Sequence, residues 1–157
     1  GGDPVLDFGS STGELRHFLG ADVDYSFVET NERLVPALMQ WIPTAKRRIT
    51  SDLPADHYGA IFALDSLEHC DDRPEILRRL RASLRDDGVF IVSGPTEGVI
   101  YRLGRRLAGF TAYAHEETVF DVEADVAKQF QPIARVSGPA MLPVFALSVW
   151  GRRGAKG

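Results

Sequence analysis

The stretch Val5-Leu6-Asp7-Phe8-Gly9-Ser10-Ser11-Thr12-Gly13-Glu14-Leu15 decides the fold of this chain. Its first four residues are mostly apolar and end at a glycine, which predicts a short buried strand of a parallel sheet. The two glycines permit backbone angles that a side chain forbids, and they let the backbone approach a ligand closely. Residues Glu14–Leu19 then predict a helix that ends at Gly20, and a helix N-terminus offers unpaired N–H groups and a partial positive charge.

An acidic residue, Glu29, closes the next apolar run, which predicts a second strand over Tyr25–Glu29. In dinucleotide-binding folds an acid at this distance from a glycine turn accepts hydrogen bonds from two ribose hydroxyls. The turn alone is a weak signal, because ordinary strand-to-helix turns also use glycine. Simpler interpretations also stay open, with Glu29 as a solvated charge at a helix start and Asp7 as a partner of the turn.

Strands and helices alternate along the first 95 residues. Further strands are predicted over Lys46–Ser51, Ala60–Asp65 and Val89–Ser93, with an amphipathic helix before the third strand and another before the fifth. This alternation predicts right-handed βαβ crossovers, and therefore a parallel sheet with helices on both faces.

Single residues mark the ends of these elements. Thr30 or Asn31 is predicted to cap the second helix, and Asp72 the helix before the fifth strand. That helix carries an apolar stripe that extends to Leu84. Asp86-Asp87-Gly88 then predicts a tight turn into the fifth strand.

The pattern changes after the fifth strand. Val99–Phe110 predicts an amphipathic helix with arginines on its polar face, and Val122–Phe130 predicts another helix. Ile133–Ser137 and Val144–Trp150 predict two strands whose short connection favours an antiparallel pair at the edge of the sheet.

The composition of the 157 residues is that of one soluble globular domain, with 44% hydrophobic and 25% charged residues. The formal net charge of −4 argues against a general nucleic-acid binder, which would carry a basic excess. The single cysteine cannot form an internal disulfide, and no apolar run reaches the roughly 20 residues that span a bilayer. We therefore expect a cytoplasmic protein, with an oligomeric state that the sequence does not disclose.

The motifs resemble those of the class I S-adenosylmethionine (SAM)-dependent methyltransferases, and the resemblance covers essentially the whole chain. The family's first motif, D/E-x-G-x-G-x-G, reads Asp7-Phe8-Gly9-Ser10-Ser11-Thr12-Gly13 here, with Ser11 in place of the middle glycine. Asp52-Leu53-Pro54 resembles the D-x-x-x-L-P region, and Leu67-Glu68-His69 resembles the L-E-H motif of small-molecule methyltransferases. Leu84–Val89 resembles L-x-P-G-G, with Asp86-Asp87 in place of proline-glycine.

This resemblance implies a Rossmann-like, seven-stranded, mostly parallel sheet in the order 3-2-1-4-5-7-6. It places helices on both faces and makes the last strand antiparallel. Residues 1–157 then form a single domain, and we expect this domain to lack the N-terminal cap helices of its relatives.

The implied cofactor is SAM, with S-adenosylhomocysteine as the product. On this resemblance Asp7 holds the ammonium group, Glu29 the ribose hydroxyls and Asp52 the adenine amino group, while Leu64 and Asp65 lie near the transferred methyl group. Each pairing is chemically reasonable, because ionised carboxylates accept hydrogen bonds from ammonium, hydroxyl and amino donors. The full predicted cofactor set is Asp7, Gly9, Ser11, Gly13, Glu29, Thr30, Asp52, Leu53, Leu64 and Asp65.

Two histidines are candidates for a general base. His69 follows the fourth strand, and its ordinary pKa of about 6.5 suits proton transfer at neutral pH. A purely structural role for His69, as a partner of the loop backbone, is an equal alternative. His115 lies on an irregular polar segment that could close over the site, although a surface position is the simpler interpretation. Asp65, Glu68, His69 and His115 match no recognised metal-ligand spacing, so no metal is predicted.

The acceptor is predicted to be a small molecule, a glycan or a lipid-linked compound, methylated at oxygen. Arg102, Arg105 and Arg106 are most simply a solvated helix face, but they would also suit an anionic substrate or a peripheral membrane contact. A catalytically silent SAM-binding or scaffold domain is the alternative function. A nicotinamide oxidoreductase is disfavoured, because the G-x-G-x-x-G positions 9, 11 and 14 are Gly, Ser and Glu.

Overall fold

The computed structural model describes residues 2–95, 119–138 and 145–153. These residues form one seven-stranded sheet in the order β3-β2-β1-β4-β5-β7-β6, as predicted. Strands β1 to β5 are mutually parallel, and β7 lies antiparallel between β5 and β6. The strands are β1 (Pro4–Phe8), β2 (Asp24–Val28), β3 (Lys46–Arg47), β4 (Tyr58–Leu64), β5 (Leu84–Pro95), β6 (Phe130–Gly138) and β7 (Phe145–Arg152).

Three α-helices flank the sheet in the described part of the chain, namely α1 (Val35–Trp41), α2 (Arg73–Ser83) and α3 (Val119–Val126). Helices α2 and α3 pack on one face through buried residues such as Leu77, Leu80 and Val122. Helix α1 packs on the other face over β2, where Val35 and Leu38 meet Tyr25 and Phe27. Both faces of the parallel strands are therefore apolar, which explains why these strands read as continuous hydrophobic runs.

The segment after the glycine turn differs from the prediction. Residues Glu14–Phe18 form a helix that begins where predicted and ends one residue earlier, but it is a 3-10 helix with no buried residue, and the Phe18 side chain is 86% exposed. Only six residues separate Gly13 from Gly20, and a helix this short gains too few hydrogen bonds to offset its nucleation. The helix that follows the glycine turn is therefore shorter than the sequence suggests.

The predicted cap of the second helix is also wrong. Helix α1 begins at Val35, and Leu34 occupies its N-cap position without a capping side chain. The Asn31 Oδ1 instead accepts a hydrogen bond from the Arg33 amide at 3.1 Å, which is a local turn before the helix. By contrast, the predicted cap of α2 is confirmed, since the Asp72 side chain accepts from the Glu75 amide at 3.4 Å.

Several strand boundaries move as well. Leu84 begins β5 and does not end α2, and the predicted turn Asp86-Asp87-Gly88 is an irregularity inside β5, where the pairing with β4 shifts between Tyr58 and Ala60. Strand β3 has only two residues, and a 3-10 helix over Thr50–Asp52 follows it.

The C-terminal elements shift in the same way. Helix α3 covers Val119–Val126, so it ends four residues before the predicted end at Phe130. Phe130 instead begins β6, where its ring is buried against Phe90. The predicted helix Val99–Phe110 and residues His115, Arg102, Arg105 and Arg106 lie outside the described residues.

Candidate functional site

The glycine turn is built from alternating left-handed residues. Gly9, Ser11 and Gly13 have φ angles of +75°, +49° and +83°. The amides of Gly9 and Ser10 both donate to the carbonyl of Val28 at the end of β2, at 2.9 and 3.2 Å. Left-handed backbone is unfavourable for residues with a side chain, so Ser11, which stands where the family pattern has glycine, carries local strain.

Gly9 also lies against the loop that follows β4. A Cβ added at Gly9 would lie 2.4 Å from the Ser66 Cβ, a distance that real Cβ atoms essentially never show. The missing side chain is therefore required for contact between the β1 and β4 loops, in addition to the φ angle. At Gly13 an added Cβ would meet only the side chains of Leu38 and Ile42, at 3.2 Å.

The carboxylate of Glu29 ties the glycine turn to the end of β2. Its Oε2 accepts a hydrogen bond from the Ser11 amide at 2.8 Å, and its Oε1 accepts one from the Asn31 amide at 2.6 Å. An ionised carboxylate has about four acceptor sites, so both oxygens retain capacity for a further donor. Glu29 is half-buried and Thr30 beside it is exposed.

Asp7 lies at the end of β1 beneath the turn, and its side chain is buried, with the residue 3% exposed. The Tyr25 hydroxyl donates to its Oδ2 at 2.5 Å. The pKa of Asp7 is raised from 3.8 to about 6. Burial is the largest cause of this rise, the charges of Glu14 and Glu29 add to it, and the Tyr25 hydrogen bond opposes it. Burial and the adjacent Asp7 charge raise the pKa of the Tyr25 phenol, so Tyr25 remains a hydrogen-bond donor.

The aromatic ring of Trp41 supports the turn from the side of α1. Its indole Nε1 donates to the Thr12 carbonyl at 2.8 Å, and its ring stacks on His17 with centroids 4.8 Å apart. In the sequence, Trp41 fits the apolar stripe of the amphipathic helix predicted before the third strand, which indicates packing alone. A partially exposed tryptophan whose N–H needs a partner is the signal that could have indicated this contact.

A cavity of about 420 Å³ opens beyond β3, next to the end of β2. The predicted adenine residue Asp52 lines it, together with Ile49, whose side chain is 58% exposed. Arg47 lines the wall of the same cavity and forms an ion pair with Glu32. Leu53, which belongs to the predicted cofactor set, packs against the hydrophobic core on the α2 side of the sheet.

The end of β4 supplies Leu64 and Asp65. Asp65 has φ +48°, and its amide donates to the Ser93 carbonyl of β5 at 3.3 Å. Burial and the nearby Glu68 raise the pKa of Asp65, while a hydrogen bond from Ser93 and the charge of His69 lower it. The side chain of His69 is exposed, and it lies close enough to Asp65 for its charge to affect the protonation of that carboxyl group.

Arg73 anchors this loop. Its guanidinium is buried, donates to the Leu67 carbonyl at 3.0 Å and pairs with Asp125 of α3 at 2.9 Å. The L-E-H segment, a 3-10 helix over Leu67–His69, is thereby fixed to two helices.

The structure thus gathers Asp7, the glycine turn, Glu29 and Asp65 at the carboxyl ends of neighbouring strands, where open α/β sheets bind ligands. Asp52 lies at the same edge beside the cavity, whereas His115 lies outside the described residues. Among the described residues, no group of three or more His, Cys, Asp or Glu side chains is arranged to hold a metal ion.

A family model described as a methyltransferase domain matches residues 2–133. The chain belongs to this methyltransferase family. The match confirms the family that the motifs predicted, a class I SAM-dependent methyltransferase. A comparison with curated proteins gave no match. No helix of this methyltransferase within the described ranges is long and apolar enough to cross a membrane.

Solved structures share the fold of this methyltransferase domain. A putative type 11 methyltransferase from Sulfolobus solfataricus has a TM-score of 0.77 at 14% identity, over 99% of this chain and 86% of that one. A protein from Pyrococcus horikoshii OT3 has a TM-score of 0.76 at 15% identity, over 98% and 83%. The N-methyltransferase NodS from Bradyrhizobium japonicum WM9, solved in complex with S-adenosylhomocysteine, has 0.73 at 12% identity, over 97% and 79%.

Proposed function

We propose that the carboxyl edge of β1, β2 and β4 holds SAM, and that the methyl group passes to a hydroxyl oxygen of a small-molecule, glycan or lipid-linked acceptor. The observation that carries the cofactor site is the carboxylate of Asp7, which is buried beneath the glycine turn with a tyrosine hydroxyl as its donor. A buried carboxylate without a cationic partner is costly, and an ammonium group placed there offsets this cost. The NodS complex with S-adenosylhomocysteine supports the same cofactor.

The other parts of the cofactor match the remaining residues. The free acceptor capacity of Glu29 suits two ribose hydroxyls. The cavity beyond β3 offers an exposed apolar surface at Ile49 and an acceptor at Asp52, which suits an adenine ring and its amino group.

When bound, SAM supplies a methyl group on a sulfonium, with a neutral thioether as the leaving group. The chain then has to align an acceptor atom with that methyl group and exclude water. We place this step near Leu64 and Asp65, and we assign His69 as the base that takes the hydroxyl proton.

Calorimetry with SAM and S-adenosylhomocysteine tests the cofactor site. Glu29→Gln is expected to weaken the binding of both ligands by about 1.5 kcal/mol or more, roughly tenfold, because charged acceptors form stronger hydrogen bonds than amides. Asp87→Asn, which neutralises an exposed carboxylate at the far end of β5, is the matched control and should bind as the wild type does. Unchanged affinity in Glu29→Gln would show that the ribose acceptor is misplaced, and no binding by the wild type would defeat the proposed function.

Turnover with labelled SAM over a panel of hydroxyl, amine and thiol acceptors tests the reaction. On a hydroxyl acceptor, His69→Gln is expected to lower the rate about a hundredfold while cofactor affinity stays unchanged, because general bases contribute this much or more. An unchanged rate would remove His69 as the base. Cofactor binding without turnover on any acceptor would instead favour the silent SAM-binding domain.

A further inference from the structure

The hydroxyl of Tyr25 is fixed in place by the sheet. Tyr25 pairs with Val5 across β2 and β1, and Asp7 pairs with Phe27, so Tyr25 is a diagonal neighbour of Asp7 on one face of the sheet. Its ring is 2% exposed and belongs to the core beneath α1, which leaves the hydroxyl little freedom apart from its bond to the Asp7 Oδ2.

The other groups around Asp7 bring negative charge. The negative charges of Glu14, from the 3-10 helix, and Glu29, from the end of β2, both raise the pKa of Asp7. The neighbouring residue on β4, Phe62, is uncharged. Arg16 is the cation near Tyr25, but its guanidinium donates to backbone carbonyls, with distances of 3.2 Å to Leu19, 3.3 Å to Gly20 and 3.2 Å to Ala21. In the described part of the chain, Tyr25 is thus the donor that holds the Asp7 carboxylate.

We infer that Tyr25 is a positioning residue, which orients the Asp7 carboxylate toward the ammonium group of the cofactor, and that cofactor binding is coupled to the release of a proton from Asp7. This inference rests on the proposed function. A cation beside a buried carboxylate favours its ionised form, so a carboxyl that is partly protonated in the free protein loses its proton when the ligand binds.

The expected pH dependence follows from the sign of this coupling. The pKa of Asp7 in the free protein is about 6. Above that pH, Asp7 is already ionised, so its titration no longer changes the affinity. Below it, each unit of pH lowers the affinity up to about tenfold, because a proton must first leave the carboxyl.

Removing the Tyr25 hydroxyl tests whether Tyr25 controls the pH dependence of cofactor binding. The hydrogen bond lowers the pKa of Asp7, so Tyr25→Phe raises this pKa and moves the pH at which the affinity falls upward. Tyr58→Phe is the matched control, because Tyr58 is also fully buried in the sheet, yet its hydroxyl has no hydrogen-bond partner among the described residues. This control should keep the wild-type pH profile.

The experiment is calorimetric titration of the full chain between pH 5.5 and 8.5, with pH 6 repeated in two buffers of different ionisation enthalpy to count released protons. The ligands are SAM, S-adenosylhomocysteine and 5′-methylthioadenosine, which retains the adenosine but has no ammonium group. We expect proton release and a pH-dependent affinity with the first two ligands, and neither effect with the third.

The outcomes separate this inference from the function on which it rests. If none of the three ligands binds the wild type, the proposed function fails. If SAM binds with a pH-independent affinity, or if all three ligands give one pH profile, the coupling is wrong even if no variant can be purified. If Tyr25→Phe and Tyr58→Phe give the same profile, Tyr25 does not position Asp7.

Discussion

Gly9→Ala is expected to destabilise the domain by about 2–5 kcal/mol. A left-handed φ of +75° costs a residue with a Cβ about 1–2 kcal/mol. The new Cβ would also lie 2.4 Å from the Ser66 Cβ, so one of the two loops must move, at a cost of about 1–3 kcal/mol. Urea unfolding monitored by circular dichroism measures the change.

Two further variants separate the steric cost at Gly9 from the backbone cost. Gly20→Ala is the control, because an added Cβ there meets nothing within 4 Å, and we expect its stability to be unchanged or slightly raised. Combining Gly9→Ala with Ser66→Gly removes the Cβ that collides, and it should recover stability relative to Gly9→Ala alone. If Gly9→Ala unfolds at the same urea concentration as Gly20→Ala, the close approach of the two loops is wrong.

Asp7→Asn is expected to stabilise the ligand-free domain by about 1–3 kcal/mol at pH 7.5 and to abolish its affinity for SAM. The buried carboxyl has a pKa of about 6 in the folded domain against 3.8 for the ordinary group, and this difference is worth about 3 kcal/mol. The amide of asparagine can still accept from the Tyr25 hydroxyl, but it carries no charge that must be desolvated.

The stability of the wild type depends on pH through the protonation of Asp7. Between pH 4 and 6 the unfolded chain releases the Asp7 proton while the folded domain retains it, so the wild type loses stability as the pH rises through this range. Above pH 6 the loss is complete and constant. The stability difference between Asp7→Asn and wild type should therefore be largest above pH 6 and small near pH 4.

Urea unfolding at pH 4.5 and pH 7.5, without ligand, checks the prediction. Asp87→Asn removes an exposed carboxylate, and it should change stability little at either pH. A domain that Asp7→Asn destabilises at pH 7.5 would show that the carboxylate stabilises the free protein. The expected opposition between stability and binding is typical of functional sites, where a group suited to the ligand is unfavourable without it.

The parallel sheet and the place of the glycine turn were predicted from the sequence pattern, and the order of the strands from the family resemblance. Val5–Phe8 and Ala60–Asp65 are mostly apolar runs, which are typical of a sheet covered on both faces, and alternating helices favour parallel strands there. The closing antiparallel pair was predicted from its short connection and the family resemblance, and β6 and β7 confirm it.

The ends of elements were predicted less well, because packing decides them. Phe130 fits the apolar stripe of a helix, yet it begins β6, where its ring packs against Phe90. The same holds for the segment after Gly13, where a pattern typical of an α-helix gives a 3-10 helix with no buried residue. Local propensity is weak beside burial, and burial depends on neighbours that are distant in sequence.

The sequence by itself determined the sheet, the glycine turn and the acidic residues that close its strands, because each depends on residue types at short spacings. Only the tertiary structure decided which contacts these parts make with one another. Glu29 accepts a hydrogen bond from the Ser11 amide, and Asp7 accepts one from the Tyr25 hydroxyl. Gly9 packs closely against Ser66. Each of these contacts joins two different elements. Contacts of this kind depend on strand register and loop angles, which are fixed only when the core packs.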